Sequence, residues 1–139
     1  MNMNQRQEKA LEKRKKGYNC AQAVACVFCD EVNMDEEILF RLTEGFGSGM
    51  GNMDGTCGAV TATCLLAGLV KSSGHINHPD SKVITSRLTR DILNQFKEHN
   101  QTVTCHVLKG IGTGKVLRSC PDCICDAIEL AETIIFEKQ

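Results

Sequence analysis

The sequence predicts an all-α fold, a single-domain bundle of about five to seven helices with a glycine-rich loop before the central helix. Apolar residues recur at three- and four-residue spacing along most of the chain. Residues that cap helices, and glycines that end them, stand between these periodic segments. No run of alternating apolar and polar residues is long enough to predict a strand.

Each helix follows from its own boundary signals. Gly17 ends a polar first helix, Asn19 caps the second and Asp35 caps the third. Five glycines then fall within residues 45–56, where no regular structure is expected. Ser119 caps the last helix, with Pro121 as its first helical residue. The predicted helices cover residues 3–16, 20–32, 36–46, 57–70, about 81–98, 102–109 and a last segment that begins near 120.

The chain of 139 residues suits one domain, in which a polar helix over 1–16 precedes a cysteine-containing core over 17–139. Its formal net charge of -1 gives no overall basic field, which argues against nucleic acid as a partner. The first sixteen residues are almost all polar, and no apolar stretch approaches the roughly 20 residues of a membrane span. We therefore expect a cytoplasmic protein without direct membrane insertion.

Nine cysteines are many for a chain in a reducing compartment, where they are typical of catalytic, redox-sensing or metal-binding sites. Helical phase predicts which of them point inward. In the second helix Cys20 continues the apolar stripe, whereas Cys26 and Cys29 lie off it. In the last helix Cys120 extends the stripe, and Cys123 lies at its edge.

Three further cysteines have distinct positions. Cys57 follows the glycine-rich loop and opens an apolar helix, where unpaired N–H groups and the helix dipole favour the thiolate. Cys105 lies on a short helix, beside His106. Cys125 falls on the polar face of the last helix. The predicted inward set can converge at one end of the bundle and consists of Cys20, Cys57, Cys105 and Cys120.

These positions carry a family resemblance. The stretches "GYNCAQAV", "GFGSGMG" and "CGAVTA", with the later cysteines, resemble the C_GCAxxG_C_C family of proteins with proposed redox activity, from about Gly17 to Ala131. The resemblance places the Cys-Gly-Ala motif at residues 57–59, and Ala62 stands where the family has its last glycine. It implies redox activity, and a redox partner protein or a membrane transporter as partner. The family cysteines fall on Cys20, Cys57, Cys105 and Cys120, with Cys123 as the alternative to Cys120.

Three functions suit these residues. In thiol–disulfide chemistry, Cys57 is the expected reactive thiol and a nearby cysteine resolves it. Alternatively, thiolates from separate helices hold an iron–sulfur cluster or zinc. The third possibility is a non-enzymatic redox-sensing or interaction module, and a homodimer is compatible with any of the three. The four metal-ligand candidates are the same as the catalytic candidates, Cys20, Cys57, Cys105 and Cys120, with Cys123 in place of Cys120 as the variant set.

The histidines and the glycine run are weaker candidates for a functional site than the cysteines. His75 and His78 lie in a polar loop, and His106 points about 100° away from its neighbour Cys105 along the helix. The glycine run has G-x-G-x-G spacing, but a helical segment precedes it, so we exclude a dinucleotide fold. We expect these glycines to let the loop pack tightly over the cysteine cluster, with an anion-binding nest of backbone N–H groups as the alternative.

Overall fold

Helices dominate residues 3–137, which are the residues that the computed structural model of this chain describes. The prediction of an all-α single domain is confirmed. Within these residues no strand forms, and Thr56 and Thr104 make an isolated antiparallel bridge. The elements are α1 Gln5–Lys16, α2 Cys20–Ala25, α3 Cys29–Val32, α4 Glu36–Glu44, α5 Gly47–Met50, α6 Gly58–Lys71, α7 Lys82–Asn100, α8 Cys105–Lys109, α9 Cys120–Leu130 and a π-helical turn Ala131–Ile135.

Two capping boxes fix the first two helices. The side chain of Asn4 accepts a hydrogen bond from the Gln7 backbone N–H, and the Gln7 side chain accepts one from the Asn4 N–H, both at 2.9 Å. Asn19 and Gln22 repeat this arrangement at the start of α2. Each box satisfies two backbone donors that a helix start leaves unpaired. The predicted cap at Asn19 is therefore observed, and it sets the direction of Cys20.

The predicted second helix is not continuous. It stops at Ala25 and resumes as α3 at Cys29, after a turn over residues 26–28. This turn directs Phe28 into the core, where it is fully buried and stacks on Phe136 with ring centroids 5.1 Å apart. The helical phase that was assigned to Cys26 is consequently wrong, because Cys26 caps α2 and is buried.

Several boundaries also differ from prediction. The sixth predicted helix begins at Cys105 rather than at residue 102, because residues 103–105 pair with the end of the glycine-rich loop. The Cys57 N–H donates to the Val103 carbonyl at 2.7 Å, and the Cys105 N–H donates to the Gly55 carbonyl at 2.9 Å. Cys120, not Pro121, is the first residue of α9. The pairing over 103–105 fixes Cys57 and Cys105 side by side.

Small residues bring α2, α6 and α9 close together at the centre of the bundle. Ala21, Ala59, Ala62 and Ala127 are all fully buried between these helices. A Cβ atom on Gly58 would lie 2.8 Å from the Phe46 carbonyl oxygen, so the start of α6 packs directly on the preceding loop. Within residues 3–137, no helix is long and apolar enough to cross a membrane.

Candidate redox site

Five of the nine cysteines line one small cavity at an end of the bundle. The cavity has a volume of about 20 Å³, which is roughly the room that one water molecule needs. Two cationic side chains, Lys109 and Arg118, also line it. The five cysteines are the four predicted inward residues and the predicted alternative, namely Cys20, Cys57, Cys105, Cys120 and Cys123.

Helix starts account for this convergence. Cys20, Cys105 and Cys120 are the first residues of α2, α8 and α9, and Cys57 is the N-cap of α6. Cys123 lies one turn further along α9 and is 2% exposed. Unpaired backbone N–H groups at the starts of the longer helices α6 and α9 favour thiolate over thiol. The arrangement therefore brings together cysteines in positions that favour the thiolate, the reactive form in disulfide exchange and metal binding.

Cys20 and Cys120 form an outer pair, and both are half-buried. The neighbouring Cys20 thiol and the positive charge of Lys109 lower the pKa of Cys120 to about 5, against an opposing effect of burial. The interaction with Cys120, together with burial, raises the pKa of Cys20. The pair thus holds one thiolate beside one protonated thiol at neutral pH.

Cys57 and Cys123 form an inner pair that is 6% and 2% exposed. The neighbouring Cys123 thiol lowers the pKa of Cys57, burial opposes this, and the backbone N–H groups of Ala59 and Val60 support it. The interaction with Cys57, together with burial, raises the pKa of Cys123, whose sulfur lies 4.0 Å from the Arg118 carbonyl oxygen. The two pKa values therefore shift in opposite directions, as they do in the outer pair, but in a more enclosed position.

Cys105, the fifth thiol, lies under the glycine-rich loop. Burial raises its pKa, and the nearby charge of Lys109 opposes this. A Cβ atom on Gly49 would lie 2.4 Å from the Cβ of Cys105 and 3.3 Å from its sulfur. The loop therefore packs directly against this cysteine, as the packing interpretation of the glycines predicted.

The positive charges of Lys109 and Arg118 have different partners. Arg118 makes two 2.9 Å hydrogen bonds to the carboxylate of Asp126. Burial opposes protonation of Lys109, but the negative charge of Cys120 raises its pKa. Lys109 is thus the cation whose charge stabilises the Cys120 thiolate, whereas Arg118 is paired with Asp126. Neither residue was predicted, although Lys109 follows Cys105 by one helical turn, a spacing that places both on one face.

The comparison with known families agrees with this geometry. A family model described as "Putative redox-active protein (C_GCAxxG_C_C)" matches residues 18–134, which include all five cavity cysteines. The chain belongs to this family. No curated protein and no solved structure matches it. The four positions to which the resemblance assigned the C_GCAxxG_C_C cysteines lie around one cavity, and Cys123 joins them there.

The other cysteines of this family member lie outside the cavity. Cys26 is buried with its sulfur 3.8 Å from the Glu36 carbonyl oxygen, and Cys29 donates to the Cys26 carbonyl at 3.3 Å. Cys125 is half-buried and contacts Met3. Cys64 is half-buried on α6. These four cysteines provide natural controls for experiments on the cavity.

The histidines also lie outside the cavity. His106 Nδ1 is 2.9 Å from the Met53 carbonyl oxygen, so the ring is held by the glycine-rich loop. His75 pairs with Asp80 at 3.0 Å on the surface, and His78 is exposed. Neither loop histidine approaches the family cysteines.

The five thiols line one cavity, but their arrangement is not that of a metal site. Among residues 3–137, no group of three or more His, Cys, Asp or Glu side chains is arranged to hold a metal ion. In a volume of about 20 Å³, an iron–sulfur cluster would require the thiols to move apart. The zinc and iron–sulfur hypotheses remain predictions for this C_GCAxxG_C_C protein.

Proposed function

We propose that this protein carries out thiol–disulfide exchange, with Cys120 as the attacking thiolate and Cys20 as the resolving thiol. The observation that carries the proposal is that these two half-buried cysteines line one small cavity together with Lys109. A thiolate is the nucleophile in disulfide exchange, and a second thiol within contact distance is needed to close the disulfide.

The exchange has two steps. The Cys120 thiolate attacks one sulfur of a substrate disulfide, forms a mixed disulfide and releases the other half as a thiolate. Cys20 then loses its proton and attacks the Cys120 sulfur, which releases the second half of the substrate. The substrate disulfide is reduced to two thiols, and the Cys20–Cys120 dithiol is oxidised to a disulfide. The steps run in reverse when the oxidised protein meets a dithiol.

Solvent exposure of the side chain explains why we assign the attacking role to Cys120 and not to Cys57, which the sequence predicted as the reactive thiol. Both have a lowered pKa, but Cys57 is 6% exposed, whereas Cys120 is half-buried at the cavity edge. A reactive cysteine must be reached by its substrate as well as ionised. The protonated neighbour Cys20 is also half-buried, so the mixed disulfide can be resolved without unfolding.

Oxidised glutathione tests this proposal. Reduced protein is mixed with it, quenched with acid, alkylated in denaturant and mapped by peptide mass spectrometry. We expect a Cys20–Cys120 disulfide in the wild type, and a lasting Cys120–glutathione adduct in Cys20→Ser. Cys120→Ser should form neither product, whereas Cys64→Ser, altered outside the cavity, should behave as wild type. Formation of glutathione adducts at unchanged rate in Cys120→Ser contradicts the proposal.

A metal centre is the second candidate, favoured by the five thiols around one cavity. Elemental analysis of protein purified anaerobically with a reductant distinguishes it from exchange. One equivalent of zinc, or two to four of iron with matching sulfide, that is lost in Cys57→Ser but retained in Cys125→Ser supports the metal site. If Ser at each of the four predicted positions changes neither metal content nor redox behaviour, the non-enzymatic module is supported instead.

A further inference from the structure

We infer that Cys57 and Cys123 form a second, buried redox pair that exchanges disulfides with the outer pair, so that one chain holds two disulfides. This inference rests on the proposed function of Cys20 and Cys120. In the extended function, two dithiols react one after the other instead of one dithiol alone. The outer pair meets the external disulfide, and the inner pair receives the oxidising equivalents from Cys120.

Burial separates the two pairs. Cys57 and Cys123 are 6% and 2% exposed, whereas Cys20 and Cys120 are half-buried. A disulfide as large as oxidised glutathione reaches the outer sulfurs first, because the bundle covers the inner ones. Oxidation of the inner pair consequently needs a carrier inside the cavity.

Cys120 is that carrier. It lines the same cavity as both inner cysteines, and its negative charge opposes ionisation of each of them. Cys57 in turn acts on Cys20 through its charge. The inner and outer pairs therefore share one cavity of about 20 Å³, roughly the room that one water molecule needs.

The internal exchange balances in two steps. The Cys57 thiolate attacks Cys120 in the Cys20–Cys120 disulfide, which forms Cys57–Cys120 and releases Cys20 as a thiolate that takes up a proton. Cys123 then gives up its proton and attacks Cys57, which forms Cys57–Cys123 and releases Cys120 as a thiolate. The outer dithiol is restored and can react with a second substrate disulfide. In total, four thiols are oxidised and two external disulfides are reduced.

Cys105 is a poorer partner for Cys57 than Cys123 is. Its Cβ is held under the backbone of Gly49. Cys123 lines the cavity beside Cys57 and has the largest effect on the pKa of Cys57. Cys123 can therefore move toward Cys57 without a shift of the glycine-rich loop.

Oxidised glutathione in excess tests the inference by counting thiols over time. The wild type should lose two alkylatable thiols in a first phase, mapped to Cys20–Cys120, and two more in a second phase, mapped to Cys57–Cys123. Cys57→Ser should lose only the first two. Cys123→Ser should accumulate the Cys57–Cys120 disulfide with Cys20 free, because the last step cannot occur.

The controls separate this inference from the proposed function. Cys105→Ser should retain both phases, and far-ultraviolet circular dichroism checks that each variant keeps its helices. If the outer disulfide forms and no second phase follows, the inference fails and the proposed function stands. The inference also fails if the inner pair oxidises at wild-type rate in Cys120→Ser. If neither pair oxidises in the wild type, the proposed function fails.

Discussion

The backbone of Gly49 lies directly against the side chain of Cys105, so closely that a Cβ on Gly49 would be 2.4 Å from the Cys105 Cβ. Gly49 also has a φ of 55°, in the left-handed region that favours glycine. Gly49 therefore meets two requirements: its backbone has a left-handed conformation, and the contact with Cys105 leaves no room for a side chain. Through this contact the glycine-rich loop packs against the fifth cavity cysteine.

Gly49→Ala should destabilise the protein more than Gly51→Ala. Gly51 has a φ of 90° and nothing within 4 Å of an added Cβ, so Ala there costs backbone strain alone. At Gly49 the clash with Cys105 adds about 1–3 kcal/mol, which is typical of overpacking. Urea unfolding under reductant measures both variants. Equal losses in the free energy of unfolding would show that the contact with Cys105 does not limit this position.

Lys109→Gln should raise the pKa of Cys120 and make the Cys20–Cys120 disulfide less oxidising. The charge of Lys109 stabilises the Cys120 thiolate, and hence the reduced form of the pair. A rise of one pKa unit corresponds to a potential lower by about 30 mV for a two-electron couple. Redox titration in glutathione buffers measures the potential. Lys115→Gln, on an exposed loop, is the matched control, and an equal shift in both variants would reject the role of Lys109.

Alkylation of Cys120 by iodoacetamide should reach a constant rate at lower pH than alkylation of Cys125. The pKa of Cys120 is lowered to about 5, so its thiolate fraction is nearly complete by pH 7. Burial and the nearby carboxylates raise the pKa of Cys125, whose rate should still increase above pH 8. Site-resolved mass spectrometry of pulse-labelled reduced protein gives both profiles from one sample. Parallel profiles for the two cysteines would contradict a thiolate at Cys120.

The reduced protein should gain stability from Cys120 as the pH rises from about 5 to about 8.5, the ordinary pKa of a cysteine. In this range the unfolded chain holds a proton on Cys120 that the folded chain lacks, so unfolding becomes less favourable as pH increases. The slope is at most about 1.4 kcal/mol per pH unit. The stability difference between wild type and Cys120→Ser, from urea unfolding, should be larger at pH 8 than at pH 6. A constant difference would be inconsistent with the lowered pKa.

Local signals in the sequence predicted most of the fold. Asn19 and Ser119 cap helices as expected, and their hydrogen bonds are local, so neighbouring residues suffice to predict them. The break after Ala25 could not be predicted in this way. It depends on the contact between Phe28 and Phe136, whose positions are distant in the chain. Cys26 was misassigned for the same reason, because helical phase has no meaning across a turn.

The same distinction applies to the candidate site. Helical phase predicted that Cys20 and Cys120 face the core, and a helix start singled out Cys57; all three line the cavity. Phase placed Cys123 at the edge of α9, yet it is 2% exposed and lines the cavity with Cys57, the N-cap of α6. Periodicity along one helix carries no information on how many neighbours cover it. The pairing of thiols depends on these neighbours and was therefore beyond the sequence.

Cys20 and Cys120 lie about 100 residues apart in the chain, so a disulfide between them would change the connectivity of the chain. Their disulfide would enclose α2 to α8 in one covalent ring. In the chain-entropy account, a ring of about 100 residues reduces the freedom of the unfolded chain by about 4.7 kcal/mol. An oxidised molecule that unfolds would remain tied, whereas a reduced one would open fully. An oxidised molecule would then resist heat, denaturant and proteolysis better than a reduced one.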